Sequence, residues 1–242
     1  MTRIFTSDGL PSSGTVTLVG NDSVHVASSL RMKSGETLIL CDGRGKDAVC
    51  VIRSASPKET VCEILDVVPS PPELPAKVYL YQSLPKGDKF EFILQKTTEL
   101  GITCIVPVLS DRCISRPDAK AFEKKLVRYR GICREAAQQC GRGAIPEVAG
   151  LTDMRSALSR LGDGSLNVFC YEKERDRSLR SVISGADKGR INVFIGPEGG
   201  YSDSEAELAV RSGLIPVTFG KRILRCETAP VYVMSAISYE LS

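Results

Sequence analysis

The chain is poor in the side chains that most often build metal centres. It has a single histidine, His25, and none of its nine cysteines falls in a Cys-x-x-Cys pair. A zinc cluster is therefore not expected, nor any other bound metal. No apolar run approaches the roughly 18 residues that a membrane-spanning helix requires. The first residues, Met1-Thr2-Arg3-Ile4-Phe5, lack the apolar run of a secretory leader. The cysteines are accordingly expected to be reduced, mostly buried small hydrophobes of a cytoplasmic protein. Net charge is only +3, which gives no general basic field, so any contact with nucleic acid must come from a local patch. Internal repeats and low-complexity tracts are absent. So are a glycine turn followed by Lys-Ser or Lys-Thr and the G-x-G-x-x-G spacing, which excludes the two commonest phosphate-binding fingerprints.

What is present is enough apolar material for an ordinary core, 42% of 242 residues, in one or two domains. Residues 1 to 70 carry short apolar runs, Thr15–Val19, Thr37–Cys41, Ala48–Ile52 and Val61–Val68, separated by turns such as Asp42-Gly43-Arg44-Gly45. The pattern predicts a small antiparallel β-barrel or sandwich with one helix, over 24–32. Pro69-Ser70-Pro71-Pro72-Glu73-Leu74-Pro75 holds four prolines in seven residues, which reads as a semi-rigid linker over 69–76.

From residue 77 to 242 the periodicity switches to strands alternating with helices. Strands are expected over 78–84, 102–109, 166–171 and 191–195. Helices are expected over 89–100 (N-capped by Asp88), 118–139, near 152–160 and 177–184, and over 227–241, where Pro230 suits the first turn. Such alternation predicts an α/β domain with a parallel sheet covered on both faces.

The second domain is organised around Ile191 to Ala229. A branched apolar run ends in Gly196-Pro197-Glu198-Gly199-Gly200, and a helix then opens at Ser202 with Glu205 three residues on, a capping box. That helix closes at Gly213, a second apolar run spans 214–219, and a second glycine turn follows at Gly220. Both turns fall at strand carboxyl ends, where open parallel sheets bind ligands. Glycines let backbone touch a flat ligand. On residue types alone, an adenosine-like ligand and a purely structural turn are both open.

Between Ser110 and Pro146 nine lysines and arginines face four acids, and Lys120, Lys124 and Arg128 recur every four residues on one helix face. Such a stripe suits phosphate contacts, and it equally suits a solvated face. With aromatic stacking partners scarce nearby, Tyr129 being the exception, it favours structured RNA held by backbone and shape.

The motifs Gly196-Pro197-Glu198-Gly199-Gly200-Tyr201 and Phe219-Gly220-Lys221-Arg222-Ile223-Leu224-Arg225-Cys226-Glu227-Thr228-Ala229 resemble the paired signature of the RsmE family. Its members are 16S ribosomal RNA uridine N3-methyltransferases of the SPOUT superfamily. The resemblance extends over essentially the whole chain: Arg3 and Phe5, then His25, Leu30-Arg31 and Gly35, then Gln95 to Gly101, then Arg134 to Arg142. It implies a PUA-like RNA-binding barrel followed by a SPOUT domain with a deep trefoil knot, S-adenosyl-L-methionine as cofactor, a homodimer, and 16S rRNA in the small ribosomal subunit as substrate. Cofactor contacts are implied for Leu84, Gly196, Pro197, Glu198, Gly199, Gly200, Phe219, Gly220, Ile223, Leu224 and Arg225. RNA contacts are implied for Arg3, His25, Arg31, Lys96, Arg112, Lys124, Arg128, Arg134 and Arg222. The sequence departs from the family at Phe219, where a smaller Leu is usual, and at Cys226, where Thr is common.

Uracil N3 must lose a proton before it attacks a methyl group, so the site needs a proton acceptor or a cation for the charge that spreads onto O2 and O4. Arg225 is the first choice for that cation. Glu227 is the local carboxylate, with three open roles: proton acceptor, helix cap, or ion-pair partner of Arg225 or Arg222. Glu198 has two, facing adenosine or accepting loop amides. Cys226 has two as well, a ring-adding nucleophile or a small neighbour of the pocket, and nitrogen methylation needs no such adduct. His25 stands open between RNA contact and structure, and Lys96 with Glu99 between the cleft and a polar seam. Two alternatives to the uridine enzyme stand beside it: a SPOUT methyltransferase for another nucleotide, and a non-catalytic RNA-binding ribosome assembly factor.

Overall fold

The computed structural model describes residues 1–6, 9–184 and 189–241. The chain divides into two compact units, Met1–Glu73 with Arg134–Ile145, and Leu74–Cys133 with Pro146–Ser242.

The first unit holds β1 (Thr2–Phe5), β2 (Thr15–Val19), α1 (Gly20–Val24), β3 (Thr37–Cys41), β4 (Lys46–Ala55) and β5 (Glu59–Pro69). Their five-stranded sheet runs β1-β3-β4-β5-β2, with β1 and β2 outermost. Three of its pairings are antiparallel as expected, but β1 lies parallel to β3, so the sheet is mixed. The helix expected over 24–32 instead starts at Gly20 and passes at His25–Ser29 into one π-helical turn, ahead of Arg31, whose φ is +55°. Alternate residues of β3 and β4, such as Leu38, Leu40, Ala48, Cys50 and Ile52, point into the core beside Ile4, Leu18, Val26 and Cys62, as strand periodicity demands.

Residues 134–145 belong to this unit, where Ala137 and Ile145 pack on Phe5 and Cys41. The start of the proline-rich segment is pinned there too. Ser70 donates to Asp47 at 2.6 Å, and Glu73 pairs with Arg142 at 2.6 Å.

The second unit contains β6 (Lys77–Ser83), α2 (Lys89–Glu99), β7 (Cys104–Leu109), most of α3 (Ala119–Cys140), β8 (Glu147–Val148), β9 (Thr152–Asp153), α4 (Met154–Leu158), β10 (Leu166–Cys170), α5 (Leu179–Ile183), β11 (Arg190–Ile195), α6 (Asp203–Arg211), β12 (Ile215–Val217) and α7 (Thr228–Leu241). The sheet order is β12-β10-β11-β6-β7-β8, with β9 also on β7, and every pairing is parallel. Parallel strands covered on both faces need apolar residues at successive positions; β7 reads Cys104-Ile105-Val106-Pro107-Val108 and all five are buried. Across β6 and β11 the rings of Tyr81 and Phe194 stack with centroids 4.3 Å apart.

Helix α2 buries Phe90, Ile93, Leu94, Thr97 and Thr98. The expected side-chain cap from Asp88 does not form; its carbonyl accepts the Glu91 amide at 2.9 Å instead. Helix α6 starts as its sequence dictates, with both halves of the Ser202/Glu205 capping box made.

Candidate functional site

Both glycine turns line one cavity of about 610 Å³ in the second unit. Strand β11 delivers Gly196 to Gly200, and β12 delivers Thr218 to Gly220; β10 runs between them. The first turn is closed by the Gly200 amide donating to the Pro197 carbonyl at 3.0 Å, with Gly200 at φ +66°. A Cβ on Gly196 would stand 3.2 Å from the buried Tyr201 ring, a tight fit for anything larger than glycine. The second turn is set by the Gly220 amide donating to the Thr218 hydroxyl at 3.2 Å, with Gly220 at φ +95°. A Cβ there would meet nothing within 4 Å, so the limit at Gly220 is backbone conformation, not crowding.

Of the residues expected at a cofactor, Gly196, Pro197, Glu198, Gly199, Gly200, Phe219, Gly220, Ile223, Leu224 and Arg225 all line this cavity. Leu84 does not. It is buried at the end of β6, with its amide bonded to the Val108 carbonyl at 3.0 Å, so its side chain serves the core.

The charges of the cavity are organised by a residue that sequence reasoning missed. Lys89, in the first turn of α2, donates to Glu198 Oε1 at 2.8 Å and lies 3.6 Å from Glu227 Oε2. Glu198 also accepts the Lys86 amide at 3.0 Å. Burial pushes the Glu198 carboxyl up, but the Lys89 hydrogen bond, backbone amides and the Lys89 charge outweigh it and hold it below the usual range. Glu227 behaves alike: burial raises its carboxyl, while the Cys226 thiol, its own amide, Lys89 and Arg225 bring it below the ordinary value. Its ion-pair partner at contact distance is Lys89, while Arg225 adds only the charge of a more distant neighbour. A carboxylate so stabilised is a poor proton acceptor, which counts against Glu227 as the base. The Cys226 thiol donates to Glu227 at 3.2 Å and, by burial first and that bond second, is pushed up to about 12. It is no thiolate nucleophile near neutral pH.

Arg225 is exposed on the cavity wall. Its carbonyl accepts the Thr228 and Ala229 amides, both at 2.9 Å, which starts α7. No side-chain hydrogen bond or ion pair engages its guanidinium among the described residues.

The residues expected at RNA divide into groups. Arg3 is buried and bonded to both carboxylate oxygens of Asp47, at 2.7 and 2.5 Å. Burial opposes its charge, yet Asp47 more than restores it. Arg3 is thus a core ion pair, not an RNA contact. Arg134 is likewise engaged within the first unit, by the Phe5 carbonyl and by Asp22 at 2.8 Å. Arg112 donates to the Gly199 carbonyl at 2.9 Å and so braces the first turn. Lys96 pairs with Glu99 at 2.8 Å, and Arg128 with Glu91 at 2.7 Å. Arg31, Lys124 and Arg222 are exposed, and His25 is half-buried; Arg222 lines the cavity. Among the described residues no cluster of histidine, cysteine or carboxylate side chains is placed to hold a metal ion, and no helix is long and apolar enough to cross a membrane.

An α/β unit with a glycine-walled cavity at its strand ends has the plan of a ligand-binding domain. Residues 72–238 match the family model of the RNA methyltransferase domain, and residues 20–65 that of the RNA methyltransferase PUA domain. Ribosomal RNA small subunit methyltransferase E of Bacillus subtilis is 35% identical over 231 residues, covering 93% of this chain and 90% of that one. The enzyme of that name from Neisseria gonorrhoeae, solved bound to S-adenosyl methionine, superposes with a TM-score of 0.90 at 33% identity, covering 99% of this chain and 97% of that one. A Legionella pneumophila methyltransferase in complex with the same cofactor gives a TM-score of 0.89 at 28% identity, covering 98% and 97%. The chain belongs to the ribosomal RNA small subunit methyltransferase E family, in which the first unit is PUA-like and the second an RNA methyltransferase domain.

Proposed function

We propose that this chain transfers a methyl group from S-adenosyl-L-methionine to N3 of one uridine in the 16S rRNA of the small ribosomal subunit. The observation that carries the proposal is that two glycine turns, from β11 and β12, line a single cavity beside Arg225. The residues fit an adenosyl ligand. The volume is that of a small-molecule pocket, the wall offers glycine backbone at Gly196, Gly199, Gly200 and Gly220, and Pro197 and Ile195 give it an apolar floor. The bound cofactor supplies a methyl group already activated on a sulfonium.

The chain's own part is placement and charge. The turns fix the donor, which converts much of the reaction's entropic cost into binding. Arg225 lines the cavity with an uncommitted guanidinium, suited to stabilising negative charge spreading over the uracil carbonyls as N3 gives up its proton to water. Glu198 and Glu227 hold Lys89 on the cavity wall, which gives the site a second, carboxylate-paired cation. Exposed Arg222, Lys124 and Arg31, with His25, are the candidates for RNA contact. The deep trefoil knot, the homodimer and a cytoplasmic location belong to this proposal, supported by membership of the family.

The test is incubation of the purified protein with small ribosomal subunits and methyl-labelled cofactor, followed by nucleoside analysis of the rRNA. Label in 3-methyluridine is expected. Label in another nucleoside would make the chain a methyltransferase of different target, and cofactor binding without transfer would make it an assembly factor.

A further inference from the structure

Three carboxylates line the cavity, and two of them are spoken for: Glu198 and Glu227 both hold Lys89. The third, Glu172, is half-buried and has no hydrogen bond or ion pair among the described residues. Its acceptors are therefore uncommitted and open to a ligand that brings donors.

Its place in the sheet says which part of a ligand it meets. Strand β10 lies between β11 and β12, with Cys170 level with Ile195 on one side and Val217 on the other. The Tyr171 amide still bonds the Val217 carbonyl at 3.2 Å. Glu172 therefore leaves the sheet midway between the two strands whose turns form the slot. The carboxylate lies against the first turn: a Cβ on Gly200 would stand 2.5 Å from Glu172 Oε1, the free end of that side chain, and Gly200 has φ +66°. Glycine at 200 thus lets backbone and carboxylate meet on the cavity wall.

A nucleoside lying across both turns has its base at one end, its sulfur-bearing chain at the other, and its ribose in between. The ribose presents two adjacent hydroxyl donors, and a carboxylate presents two adjacent acceptors. We propose that Glu172 is a specificity-determining residue of this site whose carboxylate accepts hydrogen bonds from the 2′- and 3′-hydroxyls of the S-adenosyl ligand. The inference rests on the cofactor reading given above and adds to it the residue that reads the sugar.

Titration calorimetry on the full chain tests it, using S-adenosylhomocysteine, its 2′-deoxy and 3′-deoxy counterparts, and a counterpart lacking the amino group. Wild type is expected to bind each deoxy ligand roughly 10- to 100-fold more weakly than the parent, the value of one charge-assisted hydrogen bond. Glu172→Ala is expected to weaken the parent by a similar factor and to bind parent and deoxy ligands alike. Glu172→Gln, which keeps shape and one acceptor, is expected to fall between. Thermal melts of both variants should match wild type, because the carboxylate holds nothing in the free protein. Discrimination against deoxy ligands that persists in Glu172→Ala overturns the inference, as does an Ala variant that loses discrimination only against the ligand without its amino group. Wild type that binds the parent but ignores the sugar hydroxyls overturns it while leaving the cofactor reading intact; failure to bind the parent at all sinks that reading instead.

Discussion

Lys89 Nζ sits 2.8 Å from Glu198 Oε1, which ties the start of α2 to the first glycine turn across more than a hundred residues of sequence. The tie has a pH signature. Glu198 is held below the usual carboxylate range, against the pull of burial, mainly by Lys89. A depressed carboxyl contributes stability that is complete above its unfolded value and is lost as pH falls through the lower folded value. Urea unfolding at about pH 6 and about pH 3 brackets that window. In Lys89→Met burial is less opposed, so the loss between the two should shrink relative to wild type. An identical acid loss in the variant would show that the pair carries no weight.

Gly220→Ala should damage binding and the fold together. A residue with a Cβ pays about 1–2 kcal/mol to hold a left-handed backbone, and Gly220 sits at φ +95°. Urea unfolding should show that loss, and calorimetry should show weakened cofactor binding as the turn shifts. A variant with unchanged stability and affinity would show that the turn does not need its conformation.

Arg225→Ala should retain most cofactor affinity and lose turnover, by about 10²–10³-fold if the guanidinium stabilises the developing anion. Single-turnover methyl transfer to small subunits measures it. Full activity would move the cation's role elsewhere, with Lys89 next in line.

The thiol of Cys226 is pushed up to about 12, so Cys226→Ser should keep most of its turnover. Iodoacetamide at mildly alkaline pH should modify exposed Cys140 well before buried Cys226, as peptide mass spectrometry would reveal. Rapid labelling of Cys226, or an inactive serine variant, would contradict the assignment.

Arg3→Ala should cost stability and not merely RNA affinity. Removing one partner of a buried ion pair strands the other, at about 3–5 kcal/mol, and Asp47 would be left in that state. A variant as stable as wild type, but weak on RNA, would restore the RNA role expected from sequence.

Much of the second unit was legible in the sequence, because strands buried on both faces show as mainly apolar runs: Ile191 to Ile195 is broken only by Asn192, and Ile102 to Leu109 only by Thr103. The Ser202/Glu205 box and Gly213 set the limits of α6 by local chemistry alone. The failures share a cause. Strand β1 exists because Thr2 to Phe5 pairs with Leu38 to Cys41, a non-local partner that four residues cannot announce. Arg3 was placed at RNA because its partner Asp47 lies 44 residues away, and the partners of Arg134, Phe5 and Asp22, went unseen because they lie over a hundred residues away. Lys89 was missed since, on its own helix, it looks like any surface lysine; only the fold brings Glu198 and Glu227 to it. Glu172 gave no signal beyond lying two residues past the end of a strand.

Nucleoside mass spectrometry of 16S rRNA from cells lacking this protein addresses the central claim most directly. The account predicts that one 3-methyluridine disappears and returns when the intact gene, but not the Arg225→Ala variant, is restored. An unchanged 3-methyluridine level in the deletion strain would contradict it.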